Sequence, residues 1–131
     1  MFVDRLTQQQ RQAIFDLAVM TAAIDNDVSE EELQYLKDFS EAYNIEFELN
    51  KSHLNLNDLL SVLDSKQAKV ITLQELIKIS YKDGHFGPEE QDKVFMIAQK
   101  MGLNDPELIL AVERWVRQGF DWMYEGEQLL N

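Results

Sequence analysis

Residues 8–32 read QQQRQAIFDLAVMTAAIDNDVSEEE, and residues 66–90 read KQAKVITLQELIKISYKDGHFGPEE. Each stretch is a long apolar run, then an acidic turn, then a second helix start. In the first, Ile14, Leu17, Ala18, Thr21 and Ile24 fall on one helical stripe, and Phe15, Val19 and Ala22 on another. In the second, Val70, Leu73 and Ile77 make one stripe, and Ile71, Leu76 and Ile79 the other. A helix that is apolar on two sides is buried between neighbours. These two stretches therefore predict the central helices of an all-α bundle, over about Gln8 to Ile24 and Gln67 to Tyr81.

The turns come next. Asp25-Asn26 and Asp83-Gly84 combine residues that tolerate a left-handed backbone or bond locally to it, so both read as helix-ending turns. Ser29 with Glu32 is a capping box, in which the N-cap hydroxyl and the third helical residue bond each other's backbone amides. Gly87-Pro88 with Glu90 opens a helix differently, with proline in the first helical position. Thr7 with Gln10 opens the first helix, and Asn104 or Asp105 before Pro106 opens the last. The expected helices are thus Gln8 to Ile24, Glu30 to Tyr43, Asp58 to Asp64, Gln67 to Tyr81, Pro88 to Met101 and Pro106 towards Tyr124, the last interrupted at Gly119. Inward residues are Leu33, Leu36, Phe39 and Tyr43 on the second, and Val94, Ile97, Ala98 and Met101 on the fifth. Ile45, Phe47 and Leu49 alternate without a partner strand, and that stretch is read as a loop.

Shifted by 58 positions, Asp25 falls on Asp83, Val28 on Phe86, Glu31 on Glu89, Glu32 on Glu90, Leu36 on Val94 and Ile45 on Leu103. The chain reads as a single domain, residues 1–131, of about six to seven helices. In it a helix–acidic loop–helix unit occurs twice, over about 8–45 and 66–103, with a C-terminal helix over about 105–124. Two copies suit a compact bundle with a pseudo-two-fold axis, not a solenoid.

At these residues the chain resembles the TerB-like domain, known from tellurite-resistance proteins and from the N-terminal region of some membrane-anchored DnaJ-type co-chaperones. The family pattern is an apolar helix ending in Ala-x-x-Asp-Gly, an apolar residue, a short cap, and a Glu seven residues after the Asp. It occurs here as Ala22 to Glu32, and again as Ser80 to Glu90. The second copy is followed by Ile97-Ala98 and Met101-Gly102-Leu103, also in the family's style. The likeness spans roughly Leu6 to Val116. It implies an all-helical fold and acidic positions suspected of holding a metal ion: Asp25 and Glu32, with Asp83 and Glu90. It also implies a stress-response or metal-associated setting. Asn26 departs from the usual glycine, and Gly87-Pro88 from the usual serine-led cap.

Composition narrows the chemistry. The net charge is −12, from 24 acidic and 12 basic residues. Such a surface repels phosphate backbones and anionic lipid, so nucleic acid is an unfavourable partner and a cation or basic protein a favourable one. There is no cysteine, which removes disulfides, thiolate metal sites and cysteine nucleophiles. No apolar stretch is long enough for membrane insertion, and no signal-peptide core is seen at the N-terminus. The expected location is cytoplasmic.

Loop one offers Asp25, Asp27, Glu31 and Glu32 to a hard cation such as calcium or magnesium. Loop two offers Asp83, Glu89 and Glu90, with His85 as a nitrogen ligand that suits manganese or zinc. An EF-hand does not fit. Asp25, Asp27 and Ser29 fill its first three ligand positions, but Glu30 stands where glycine is required and Leu36 where the bidentate Glu belongs. The competing reading needs no ion, since Asp bonds turn amides and first-turn Glu suits the helix dipole. No nucleophile elbow or phosphate loop is present, and the expectation is a non-enzymatic binding module. The C-terminal helix carries Val112, Trp115, Val116, Gly119, Trp122 and Met123 at helical spacing. That face either packs on the bundle or meets a protein partner or another copy, with Trp115, Trp122 and Met123 as the contacts.

Overall fold

The computed structural model describes residues 2–22, 28–82 and 86–131, and among these every regular element is helical. After a 3-10 turn at Val3–Arg5 come α1 (Gln8–Ala22), α2 (Glu30–Ala42), α3 (Leu56–Ser61), α4 (Lys66–Tyr81), α5 (Pro88–Lys100) and α6 (Pro106–Gln128). The class is all-α, as the periodicity predicts.

The two doubly apolar helices take the centre. α1 packs against α4, and both are surrounded: α1 touches α2, α3 and α5, and α4 touches α2, α5 and α6. Phe15, Ile14, Leu17, Leu73, Leu76, Ile77 and Ile79 are fully buried in one contiguous core with Leu36 and Val94. Burying a side chain of this size contributes about 1.5–3 kcal/mol.

Local chemistry sets the starts. Gln10 N donates to Thr7 Oγ1 (3.1 Å) and Thr7 N to Gln10 Oε1 (3.0 Å). Glu32 N donates to Ser29 Oγ (3.1 Å) and Ser29 N to Glu32 Oε1 (3.0 Å). Both are the expected capping boxes. Ser65 caps α4 by accepting from Ala68 N, which sets its first residue at Lys66. Gly87 gives α5 no side-chain cap, and Pro88 takes its first turn. Asp105 caps α6 through Leu108 N.

The stops are also specific. Gly102 adopts φ 84° after α5, and Asn44 adopts φ 54° after α2. In each case an amide reaches back over the helix end: Leu103 N to Ala98 O (2.9 Å) and Ile45 N to Ser40 O (2.9 Å). Such left-handed residues close helices by satisfying their last carbonyls.

Two expectations need correction, and one element was not foreseen. The short helix is Leu56–Ser61, not Asp58 to Asp64, because the Asn55 side chain caps it by accepting from Asn57 N and Asp58 N. α6 is not interrupted at Gly119 and runs past Tyr124 to Gln128. A lone glycine lowers helix propensity without removing a backbone donor, so the hydrogen-bond ladder continues through it. The 3-10 turn at Val3–Arg5 has no apolar repeat to announce it. It is held from α1, where Arg11 Nε donates to Val3 O (3.1 Å) and Nη2 to Asp4 O (2.9 Å).

Candidate functional site

Of the eight acidic-loop positions, Asp25, Asp27, Asp83 and His85 lie outside the described residues. The other four sit at the two helix starts. Glu31 is exposed, and Glu32 is buried with Oε1 engaged in the Ser29 capping box. Glu89 is exposed and Glu90 half-buried in the first turn of α5. Among the described residues no group of three or more His, Asp or Glu side chains converges as a metal-binding set. Of these four, Glu32 has its carboxylate in a helix cap, and the side chains of Glu31 and Glu89 are exposed.

Two buried carboxylates are elsewhere, on the central helices. Asp16 receives Lys51 Nζ at 3.0 Å and Gln12 Nε2 at 3.0 Å, and Lys51 also lies over the Phe15 ring. Glu75 accepts from Tyr35 Oη (2.8 Å) and pairs with Lys78 (2.9 Å). Burial, followed by the Glu75 charge, holds the Tyr35 hydroxyl well above the usual tyrosine range. These pairs tie α1 to the 44–55 loop and α2 to α4. Among the described residues no buried side-chain nitrogen or oxygen lacks a hydrogen-bond partner.

Among the described residues, α6 with the residues just past its end carries most of the exposed large apolar side chains. Its first half packs on α4 through Ile109, Val112 and Val116, all buried. Tyr81 Oη donates to Glu113 Oε1 (2.5 Å), and the Tyr81 ring stacks on Phe86 and Phe120. Burial, the Glu113 hydrogen bond and its charge push Tyr81 up to about 12. From Asp121 onward every residue is exposed. Trp122 is 72% exposed, Met123 56%, Leu129 86% and Leu130 85%. The C-terminal face named by the sequence is therefore split: Val112 and Val116 are core, while Trp115, Trp122 and Met123 face solvent.

Beside this split lies an open groove of about 660 Å³, lined by Phe2, Trp115, Gly119, Phe120, Trp122 and Met123, with Lys78 and Lys82 of α4 at its side. Phe2 stacks on Trp115 (6.0 Å between centroids), and Lys82 Nζ lies 5.6 Å from the Phe120 ring. The sequence reading missed Phe2, Lys78 and Lys82. Phe2 precedes the first apolar repeat, and the lysines look like ordinary solvated positions until α6 is laid beside α4. No helix of the described residues is long and apolar enough to cross a membrane. No protein-family model, curated protein or solved structure matches the chain.

Proposed function

We propose that the chain is a non-enzymatic, TerB-like helical adaptor that binds protein through the exposed face of α6. The observation carrying this reading is the set of exposed apolar side chains that continues along α6 and just past its end, beyond its contact with α4: Trp122, Met123, Leu129 and Leu130. Monomeric proteins rarely leave a contiguous apolar patch of this kind uncovered. Trp is the residue most enriched among those that dominate binding energy. The open groove beside Trp115 is lined mainly by apolar side chains, as grooves that receive amphipathic helices are. The test is selection from a displayed library of random helical peptides, with Trp122→Ala as the control. Binders that lose at least about tenfold in affinity for the variant are expected, since a central aromatic contributes more than about 1.4 kcal/mol. Recovery of no binder, or of binders indifferent to Trp122, would remove the reading.

A second reading keeps a divalent cation at the acidic loops. Its support is a recurrence at 58 residues that extends beyond the motif. α1 and α4 begin at Gln8 and Lys66, and α2 and α5 at Glu30 and Pro88. The left-handed residues are Asn44 and Gly102, and the helix-closing bonds run from Ile45 and Leu103. Each copy of the unit carries first-turn glutamates, Glu31 and Glu32 or Glu89 and Glu90, a few residues after Asp25 and Asp27 or Asp83 and His85. Thermal unfolding with chelator and then with calcium, magnesium, manganese or zinc tests this. An ion at about 100 times its dissociation constant stabilises by about 2.7 kcal/mol, and Asp25→Asn or Asp83→Asn should abolish that shift. No shift with any ion leaves these residues as caps and turns.

A further inference from the structure

We infer that the occupant of the α6 face is a second copy of this chain, with the two α6 helices packed antiparallel and each exposed tail lying in the other's groove. This rests on the adaptor reading of that face and names its partner.

The first support is an alternation of large and small residues. Trp115, Gly119, Trp122, Gly126 and Leu129 are spaced by four, three, four and three. That is the 3.5-residue repeat of a helix seam that meets another helix. Glycine is the poorest helix former other than proline. Yet nothing lies within 4 Å of the Cβ that any side chain would add at Gly119 or Gly126. The bundle itself gives neither glycine a reason. Each leaves a hollow on the face that carries the tryptophans.

Bulge and hollow are self-complementary in one orientation. With a two-fold axis between Phe120 and Asp121, each Trp122 faces the other copy's Gly119. Each Trp115 then faces the other copy's Gly126, and Leu129 comes level with Val112. A parallel pair in register would set tryptophan on tryptophan and glycine on glycine. The antiparallel pair is isologous and closes on itself, as a two-fold dimer must.

Charge selects the same partner. From Gln118 to Asn131 the chain carries Asp121, Glu125 and Glu127 and no lysine or arginine. The groove is flanked by Lys82 and by Lys78, which Glu75 already pairs, and α6 itself carries Arg114 and Arg117 beside Trp115 and Val116, with Arg117 3.6 Å from Glu113. In the antiparallel register the second copy's Glu125 and Glu127 come level with Val116 and Arg114, at this basic end. Lys82 and Arg114 match the acids of such a tail better than they match the basic partner that the net charge of −12 would otherwise favour. An acidic amphipathic helix is attracted, and the chain's own tail is one.

Sedimentation velocity from low micromolar to several hundred micromolar tests the pairing. A reversible monomer–dimer equilibrium is expected, weakened by added salt as the charge match is screened. Trp122→Ala and Gly119→Leu should each weaken it by at least about 100-fold, because each alters two symmetric contacts at its centre. Gly119→Leu does so while raising helix content, so loss of folding does not explain the result. Cysteine crosslinking tests the register, since the chain has no cysteine of its own. Mixing Gln118→Cys protein with Glu125→Cys protein should give mainly the mixed disulfide. Predominant disulfide dimers of the Glu125→Cys protein with itself would overturn the antiparallel arrangement. A monomer at every concentration, a larger assembly, or a dimer indifferent to Trp122→Ala would overturn the proposal. Peptide binders that depend on Trp122 would in that case still uphold the adaptor reading.

Discussion

The two halves of α6 have the same apolar rhythm and opposite fates. From Pro106 to Phe120 the helix lies on α4, burying Ile109, Val112 and Val116 and stacking Phe120 on Tyr81. From Asp121 onward the same helix and its C-cap place Trp122, Met123 and Leu129 in solvent. The difference does not reside in α6. It comes from its neighbour: α4 ends at Tyr81, and α6, with 23 residues, extends about 35 Å. A periodic pattern determines which face of a helix is apolar. What covers that face depends on the length of the elements beside it.

The sharpest way to break this comparison is to truncate one residue in each half. Ile109→Ala removes a buried side chain from the α4–α6 contact. It should cost about 2–4 kcal/mol, the usual range for such a cavity. Trp122→Ala should change stability by less than about 0.5 kcal/mol, as befits an exposed site. Urea unfolding at high dilution, where association does not contribute, reads both. A large loss from Trp122→Ala there would mean that the tail folds back onto its own bundle.

The tether at the junction comes next in size. Tyr81→Phe removes the hydroxyl that Glu113 accepts, and Glu113 keeps Arg117 nearby at 3.6 Å. The acceptor is not stranded, so the loss should be about 1 kcal/mol. The pH dependence has a definite sign. Burial and the Glu113 bond raise Tyr81 in the folded state from its ordinary 10.0 to about 12. The folded chain therefore holds this proton more tightly than the unfolded chain does. The stability so contributed is complete below pH 10 and is lost as pH rises through about 12. Tyr35, also raised, acts in the same direction. Unfolding followed from pH 9 to 12 should show a falling midpoint, with a shallower slope in Tyr81→Phe; an unchanged slope would show that Tyr81 ionises freely in the folded chain.

The same contrast between pattern and neighbour governs what could be read in advance. α1 and α4 were legible because doubly apolar stripes have one physical outcome, burial on two sides. Their caps were legible where the side chain acts within three residues, as Thr7 with Gln10 and Ser29 with Glu32 do. Contacts that cross the chain were not. Asp16 meets Lys51, and Tyr35 meets Glu75, through side chains 35 and 40 residues apart. No local rule pairs them. Phe2 on Trp115 is more remote still. At the acidic loops the sequence named eight residues, and one of those described, Glu32, has the capping role that its pairing with Ser29 predicted. Gly119 misled because its low propensity signals a break, whereas the flanking hydrogen bonds carry the helix through.

That glycine supplies the smallest effect and the most selective one. Gly119 and Gly126 lie inside α6, both exposed, and an added Cβ meets nothing at either position. Alanine exceeds glycine in helix propensity by about 1 kcal/mol at an interior site, and by less where the helix end frays. Gly119→Ala should therefore raise the stability of the dilute monomer by about 0.5–1 kcal/mol, and Gly126→Ala by a few tenths. In a chain that works alone, both substitutions are pure gains. In one whose tryptophans seat on these hollows, each methyl group intrudes on the seat. The same substitutions would then raise the melting temperature of the dilute protein while weakening its self-association. Calorimetry on the dilute protein and sedimentation on the concentrated protein measure the two effects separately. A rise in both would show that Gly119 and Gly126 do not receive the tryptophans of a second copy, and that the glycines of the α6 face have some other cause.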